Sequence, residues 1–218
     1  MGTITRAFAN NITTSGVFKP GAFNNASFDN VTSVPSGSVE AGNMVLLSTQ
    51  TASASASISF TSDIDSTYKE YVFIINNFNP ADDGYQLAFQ GSTDGGSNYN
   101  TTITSSFIIV NHNEAGTDTG LGLATSFDQA QGTAFQQLTH FIGNGADESA
   151  SGYLHIFEPS STTYVKHFIS SFNTYHYQDY CMTSHVAGYF NTTSALNAFQ
   201  FKSVSGNFDG TIQMFGIK

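Results

Sequence analysis

The stretch "GNFDGTIQMFGIK" (Gly206–Lys218) sets polar Thr211 and Gln213 between apolar Ile212 and Met214. Alternation at a period of two marks a strand with one buried face. Chain ends fray unless a neighbouring element ties them down. A strand of this kind at the end of the chain is therefore expected inside a sheet. Ile212 and Met214 should face the core, with Thr211 and Gln213 on the other side. In a sandwich built by Greek-key crossings the last strand can be a central one.

The same reading extends upstream to Met44. "MVLLSTQ" (44–50) and "SASASISF" (53–60) read as a pair of strands. "KEYVFIINNF" (69–78) is a continuous apolar run, expected as a central strand with both faces covered. "GYQLAFQGS", "SSFIIVNH", "SGYLHIFE", "VKHFISSFN", "SHVAGYFN" and "LNAFQFKSV" follow as further strands. Turn chemistry separates them at Asp82-Asp83-Gly84, Asp94-Gly95-Gly96, Gly143-Asn144-Gly145 and Gly206-Asn207. "SFDQAQGTAFQQL" (126–138) is the best candidate for a helical turn, and Gly132 interrupts it. Many short strands at even spacing give an all-β fold, an antiparallel, jelly-roll-like sandwich over residues 43–218.

Residues 1–42 differ. "GVFKPGAFNNASFDNVTSVPSGS" repeats Phe18, Phe23 and Phe28 every five residues, which fits neither strand nor helix, and Pro20 and Pro35 break regular elements. The segment reads as an extended arm. Its aromatic anchors, Phe8, Phe18, Phe23 and Phe28, are expected to dock on a neighbouring subunit, since ordering on binding is a common assembly device.

Composition narrows the function. Charged residues make up 10% of the chain, against roughly 25% in an ordinary soluble domain. The polar surface is built from Asn, Ser, Thr, Gln and Gly, which suits a long-lived extracellular or particle-bound protein, and much of it is expected to be covered in an assembly. Six Lys and Arg against sixteen Asp and Glu give a net charge of −10. That balance excludes nucleic acid, whose binding needs basic patches, and disfavours an anionic membrane surface. No apolar run approaches a membrane span, and "MGTITRAFANN" has no signal-peptide core. Synthesis in the cytoplasm, with release by a route such as lysis, is expected. Cys181 is the one cysteine and is expected as a small buried hydrophobe.

No catalytic constellation stands out. Asp63/Asp65, Asp82/Asp83 and Asp147/Glu148 pair within turns, whereas a glycosidase needs two carboxyls facing across a sugar. "GSTDGGSNY" holds Asp94 as its one carboxylate, too few for a calcium loop. The six histidines lack the close spacing of a zinc site. One histidine per subunit on a trimer axis is the remaining route to a metal. His155 and His167 read as residues of a pleated face. No enzyme activity, metal or cofactor is expected. "NTYHYQDYCMTSH" (173–185) clusters Tyr175, His176, Tyr177 and Tyr180 between two strands. Tyrosine offers rigid, half-polar contact area. The cluster is read either as a receptor or glycan contact or as packing, between subunits or over the end of the sandwich.

Several segments together resemble a family. "LLSTQTAS" (46–53), "IDSTYKEYVF" (64–73), "STDGGSNY" (92–99), "FEPSSTTYVKHF" (157–168), "GYFNTTSALNAFQFKS" (188–203) and "GTIQMFGIK" (210–218) are similar to a module of marine bacteriophage virion proteins, tail-fibre-like or simply structural. The resemblance covers about residues 44–218. It implies a compact, often trimeric sandwich on a phage particle, with no catalytic residues to carry over. The expectation is a short tail-fibre or receptor-binding protein, a homotrimer located in the virion. It would contact tail or major capsid proteins and a host surface glycan or protein. A short arm with no shaft leaves a capsid decoration protein as the alternative.

Overall fold

The computed structural model describes residues 44–218, which fall in one compact unit, Gly42–Lys218. They form an antiparallel β-sandwich of two unequal sheets. The larger, nine-stranded sheet runs β1 (Met44–Ser55), β13 (Phe208–Ile217), β3 (Glu70–Pro80), β9 (Ala150–Phe157), β10 (Lys166–His176), β11 (Tyr180–Phe190), β5 (Ile103–Asn113) and β6 (Thr119–Leu123), with β7 (Ala130–Gly132) also pairing with β5. The smaller sheet runs β2 (Ile58–Phe60), β12 (Ala198–Ser203), β4 (Leu87–Ser92) and β8 (Gln136–Gln137).

The closing strand lies where alternation puts it. β13 is held between β1 and β3, Ile212 and Met214 are buried, and Thr211 and Gln213 point the other way. The apolar run becomes β3, inside the large sheet. Tyr71, Phe73 and Ile75 enter the core. Its other face departs from expectation. Val72 and Ile74 lie on the outer side of the sheet, where neighbouring side chains bury Val72 to 5% exposure but leave Ile74 half-buried, with no second layer among the described residues.

Three further local expectations are corrected. "MVLLSTQ" and "SASASISF" are not a pair of strands. Met44–Ser55 is one strand, and Ile58–Phe60 belongs to the other sheet. A register shift between Ala52 and Ser55, with Ala54 at a φ of 45°, redirects the chain from one sheet to the other. The expected helical turn is one 3-10 turn, Thr125–Phe127, and the stretch beyond it pairs as β7 and β8. Cys181 is exposed. The pleat of β11 sends Met182 inward, so its neighbour must face out.

The core is a layer of phenylalanines between the sheets. Phe73 of the large sheet meets Phe60, Phe199 and Phe201 of the small one at ring separations of 5.3, 5.6 and 5.0 Å. Phe89 of the small sheet reaches back to Phe168 and Phe190 at 5.1 and 5.8 Å. Edge-to-face pairs of this kind each add about 0.5–1.5 kcal/mol beyond area burial. The crowding explains a glycine in mid-strand. A Cβ on Gly188 would stand 2.6 Å from the Phe168 ring and 2.5 Å from the Thr104 carbonyl oxygen.

Phe73 is fully buried and touches three rings across the gap. Phe73→Ala is expected to cost about 3–5 kcal/mol in urea-unfolding stability. A loss below ~1 kcal/mol would show that the layer does not join the sheets.

Candidate functional site

The tyrosine-rich segment is the hairpin that turns β10 into β11, at one end of the sandwich. Asp179 makes the turn in the left-handed region, at a φ of 61°, and its N–H donates to the His176 carbonyl at 2.9 Å. The hydroxyls of the flanking tyrosines secure it. Tyr175 Oη donates to Asp179 Oδ1 at 3.2 Å, and Tyr180 Oη to Asp118 Oδ2 at 2.9 Å. The Glu114 N–H donates to the Asp179 carbonyl at 2.9 Å, tying the hairpin to the loop after β5. Both phenols are held protonated. Loss of water and the charges of Glu114 and Asp179 push Tyr175 up to about 12, and the hydrogen bond to Asp118 raises Tyr180.

His176 points inward and is 4% exposed. Its ring stacks on His140, with centroids 5.3 Å apart and planes 15° apart. Phe141, Phe127, Tyr177 and Tyr180 close around the two imidazoles. The Gln178 N–H donates to His176 Nδ1 at 3.2 Å, which places the proton of the neutral ring on Nε2. His140 Nδ1 is buried with no partner. Burial, then the neighbouring His176, lowers the His140 pKa to about 4. Burial lowers His176 too, opposed by the charge of Asp83. Both rings are neutral at physiological pH, and the cluster is an aromatic plug.

The structure thus separates the four residues. His176 is internal, Tyr175 and Tyr180 are half-buried braces, and Tyr177 is exposed at the tip, 40% accessible. Tyr177 still rests edge-on against Phe141 at 6.1 Å and over Gly84. Phe8, Phe18, Phe23 and Phe28 lie outside the described residues. His140 was missed from sequence. It stands 36 positions before His176, and no local period links them.

The other candidates sit in turns. Asp82 Oδ2 accepts from Ser205 Oγ, Asp83 Oδ1 from the Asn144 N–H, and Glu148 Oε2 from the Gly145 N–H. Asp94 folds its own loop, accepting from Ser92 Oγ at 2.6 Å and from Asn98 Nδ2 at 2.7 Å, which holds its pKa at about 2. Among the described residues no three His, Cys, Asp or Glu side chains gather to hold a metal. His155 and His167 lie on the outer face of the large sheet, as pleat-face residues. Lys166 is wholly buried, donates to the Thr192 carbonyl at 3.0 Å, and has its pKa lowered by burial.

No protein family, curated protein or solved structure matches this chain.

The histidine pair sets a pH dependence. Between about pH 6.5 and 4 the unfolded chain takes up a proton that folded His140 refuses. Stability should therefore fall as pH drops through that window, with the loss complete near the lower end. His140→Phe keeps an aromatic ring and removes the proton site. Thermal melts from pH 7 to 4 are expected to show a shallower decline for this variant, and parallel curves would refute the assignment.

Proposed function

We propose that the protein is a non-enzymatic structural and binding component of a bacteriophage particle, a short tail-fibre or receptor-binding protein attached through residues 1–42. The observation that carries this reading is the set of family-like segments spread over residues 44–218. In the fold they occupy β1, β3, β12 and β13, the Asp94 turn, and the connection into β10. They include three adjacent strands at one side of the large sheet, β1, β13 and β3, and the strand β12 of the small sheet that packs against them. The surface is consistent with assembly and contact. It is short of charge and rich in Asn, Ser and Thr, and it carries a tyrosine at a braced hairpin tip.

In this reading the sandwich faces outward on the virion, several copies associate as a trimer, and residues 1–42 grip a tail or capsid protein. The hairpin tip offers Tyr177, with Gln178 and Asp179 beside it, to a host glycan or protein. Aromatic rings flanked by polar groups suit such contacts at low entropic cost. Tyr175, Tyr180 and the His140–His176 stack act as supports for the tip.

The decisive measurement is the copy number per purified particle, by quantitative mass spectrometry against the major capsid protein. A few tens of copies or fewer is the expected result. Hundreds would make the protein a capsid decoration, and its absence from particles would sink the reading. Tyr177→Ala should lower adsorption to host cells while stability stays within about 0.5 kcal/mol, as for an ordinary surface change. Lost stability with normal adsorption would assign the ring to packing alone.

A further inference from the structure

The outer face of the large sheet has no covering layer among the described residues, and exposed apolar side chains run across it, with uncharged polar residues such as Ser171, Gln213 and Thr49 and the histidines His155 and His185 between them. Register pairs trace one continuous row across it: Ala187 on β11, Ile169 on β10, His155 on β9, Val72 on β3, Phe215 on β13 and Leu46 on β1. A neighbouring row runs from Leu123 on β6 through Ile108, His185, Ser171 and Tyr153 to Ile74. Leu121 is 76% exposed, Leu123 69%, Leu46 51% and Ile169 49%. Scattered exposed apolar residues need no explanation, whereas a contiguous patch marks an interaction site.

We propose that this face is buried against another copy of the same chain. Three observations choose that occupant. The first is charge. The chain carries −10, yet among the described residues the acidic side chains within strands are Glu70 and Asp209 alone, each at a strand end. A partner recognised by charge would need an acidic or basic face, and this one is neutral over its interior. Neutral, charge-depleted surface is what an interface core shows, and it lets two acidic copies approach with the least repulsion.

The second is area. Eight strands spaced about 4.8 Å apart, over roughly six residues each, give a face on the order of 800 Å². That is about what one partner contributes to a stable interface. The third is relief. The face has shallow grooves, one lined by Met44, Val72, Ile74, Tyr153 and the polar Asn76 and Ser151, another by Ile169, Ala187, Tyr189 and the polar His167 and Ser106. Tyr153 and Ile169 stand proud, 46% and 49% exposed. One surface thus carries both projecting side chains and hollows, so that projections of one copy can seat in hollows of another.

The inference does not depend on the particle in which the protein works. It is tested with the full chain by sedimentation and light scattering. The expected mass is two or three times 23.3 kDa. Ile169→Glu and Tyr153→Glu, both at solvent-facing positions, should each weaken association at least ~30-fold, the scale of an interface hot spot. The circular dichroism of each variant should be unchanged. Val110→Glu, on β5, repeats the test away from the centre. A full chain that stays monomeric at high micromolar concentration overturns the proposal, including the case in which residues 1–43 shield the face. An oligomer indifferent to all three charges also overturns it, because the copies would then meet elsewhere.

Discussion

The contact of Phe73 with Phe60, Phe199 and Phe201 is the constraint on which the rest of the sandwich depends. The small sheet has strands of two to six residues. Strands so short do not make a stable sheet in water by themselves. Their stability comes from the large sheet, through the rings that bridge the gap. This dependence accounts for where the chain spends its conformational freedom. Ala54 takes a positive φ at the point where β1 must leave one sheet so that Phe60 can enter the other. Gly188 and Gly152 stand where a side chain would strike a neighbouring strand or a core phenylalanine. The charge-poor composition follows as well, because an aromatic core of this size is held by shape and area rather than by ion pairs. Among the described residues the one salt bridge, Lys69–Glu158, joins two largely exposed side chains, and such pairs contribute about 0–1 kcal/mol.

The hairpin end solves a different problem. A long antiparallel pair that projects past its core would be mobile at the tip. Here the tip is anchored from inside by stacked, uncharged imidazoles and from outside by two phenol–carboxylate hydrogen bonds. The anchor has an electrostatic cost. Two histidines are kept neutral by burial, and one ring nitrogen goes without a partner. Rigidity at the tip is what that cost maintains, and a rigid aromatic loses little entropy when it meets a surface.

Much of the fold was legible because the governing signal is local. Period-two alternation in "TIQMFGI" names the buried side of β13 without reference to anything else, and the apolar run of β3 marks a strand deep in a sheet. What was not legible depends on distant partners. "TGLGL" became β6 by pairing with β5, although glycine on alternate positions hides the pattern. The switch of sheets after Ala52 leaves no mark in an Ala/Ser repeat. Cys181 illustrates a subtler failure. The general preference of cysteine for burial competed with the pleat, and the pleat decided. At the hairpin the tyrosines were found and their roles were not, because a phenol that braces a turn and one that faces solvent have the same spacing. The apolar outer face did leave a trace. Both parities are apolar in "FIIV" and "YVFII", where a one-sided strand would alternate. The small sheet covers the inner parity, while Ile108 and Val110 of the outer parity are exposed.

That trace also bears on how so acidic a chain can be short of charge on its broadest surface. The carboxylates are gathered into turns, where Asp94, Asp82 and Glu148 serve as acceptors for neighbouring N–H and hydroxyl groups. Turn chemistry alone accounts for this placement, since Asp favours turns for its local hydrogen bonds. The consequence reaches further than the turns. Repulsion between copies is concentrated at the ends of the sandwich and is weak across its width. Sheet faces approaching broadside therefore meet little opposition, while ends approaching one another are pushed apart. The same sequence choices that shape the loops thus bias the direction from which another acidic molecule can approach.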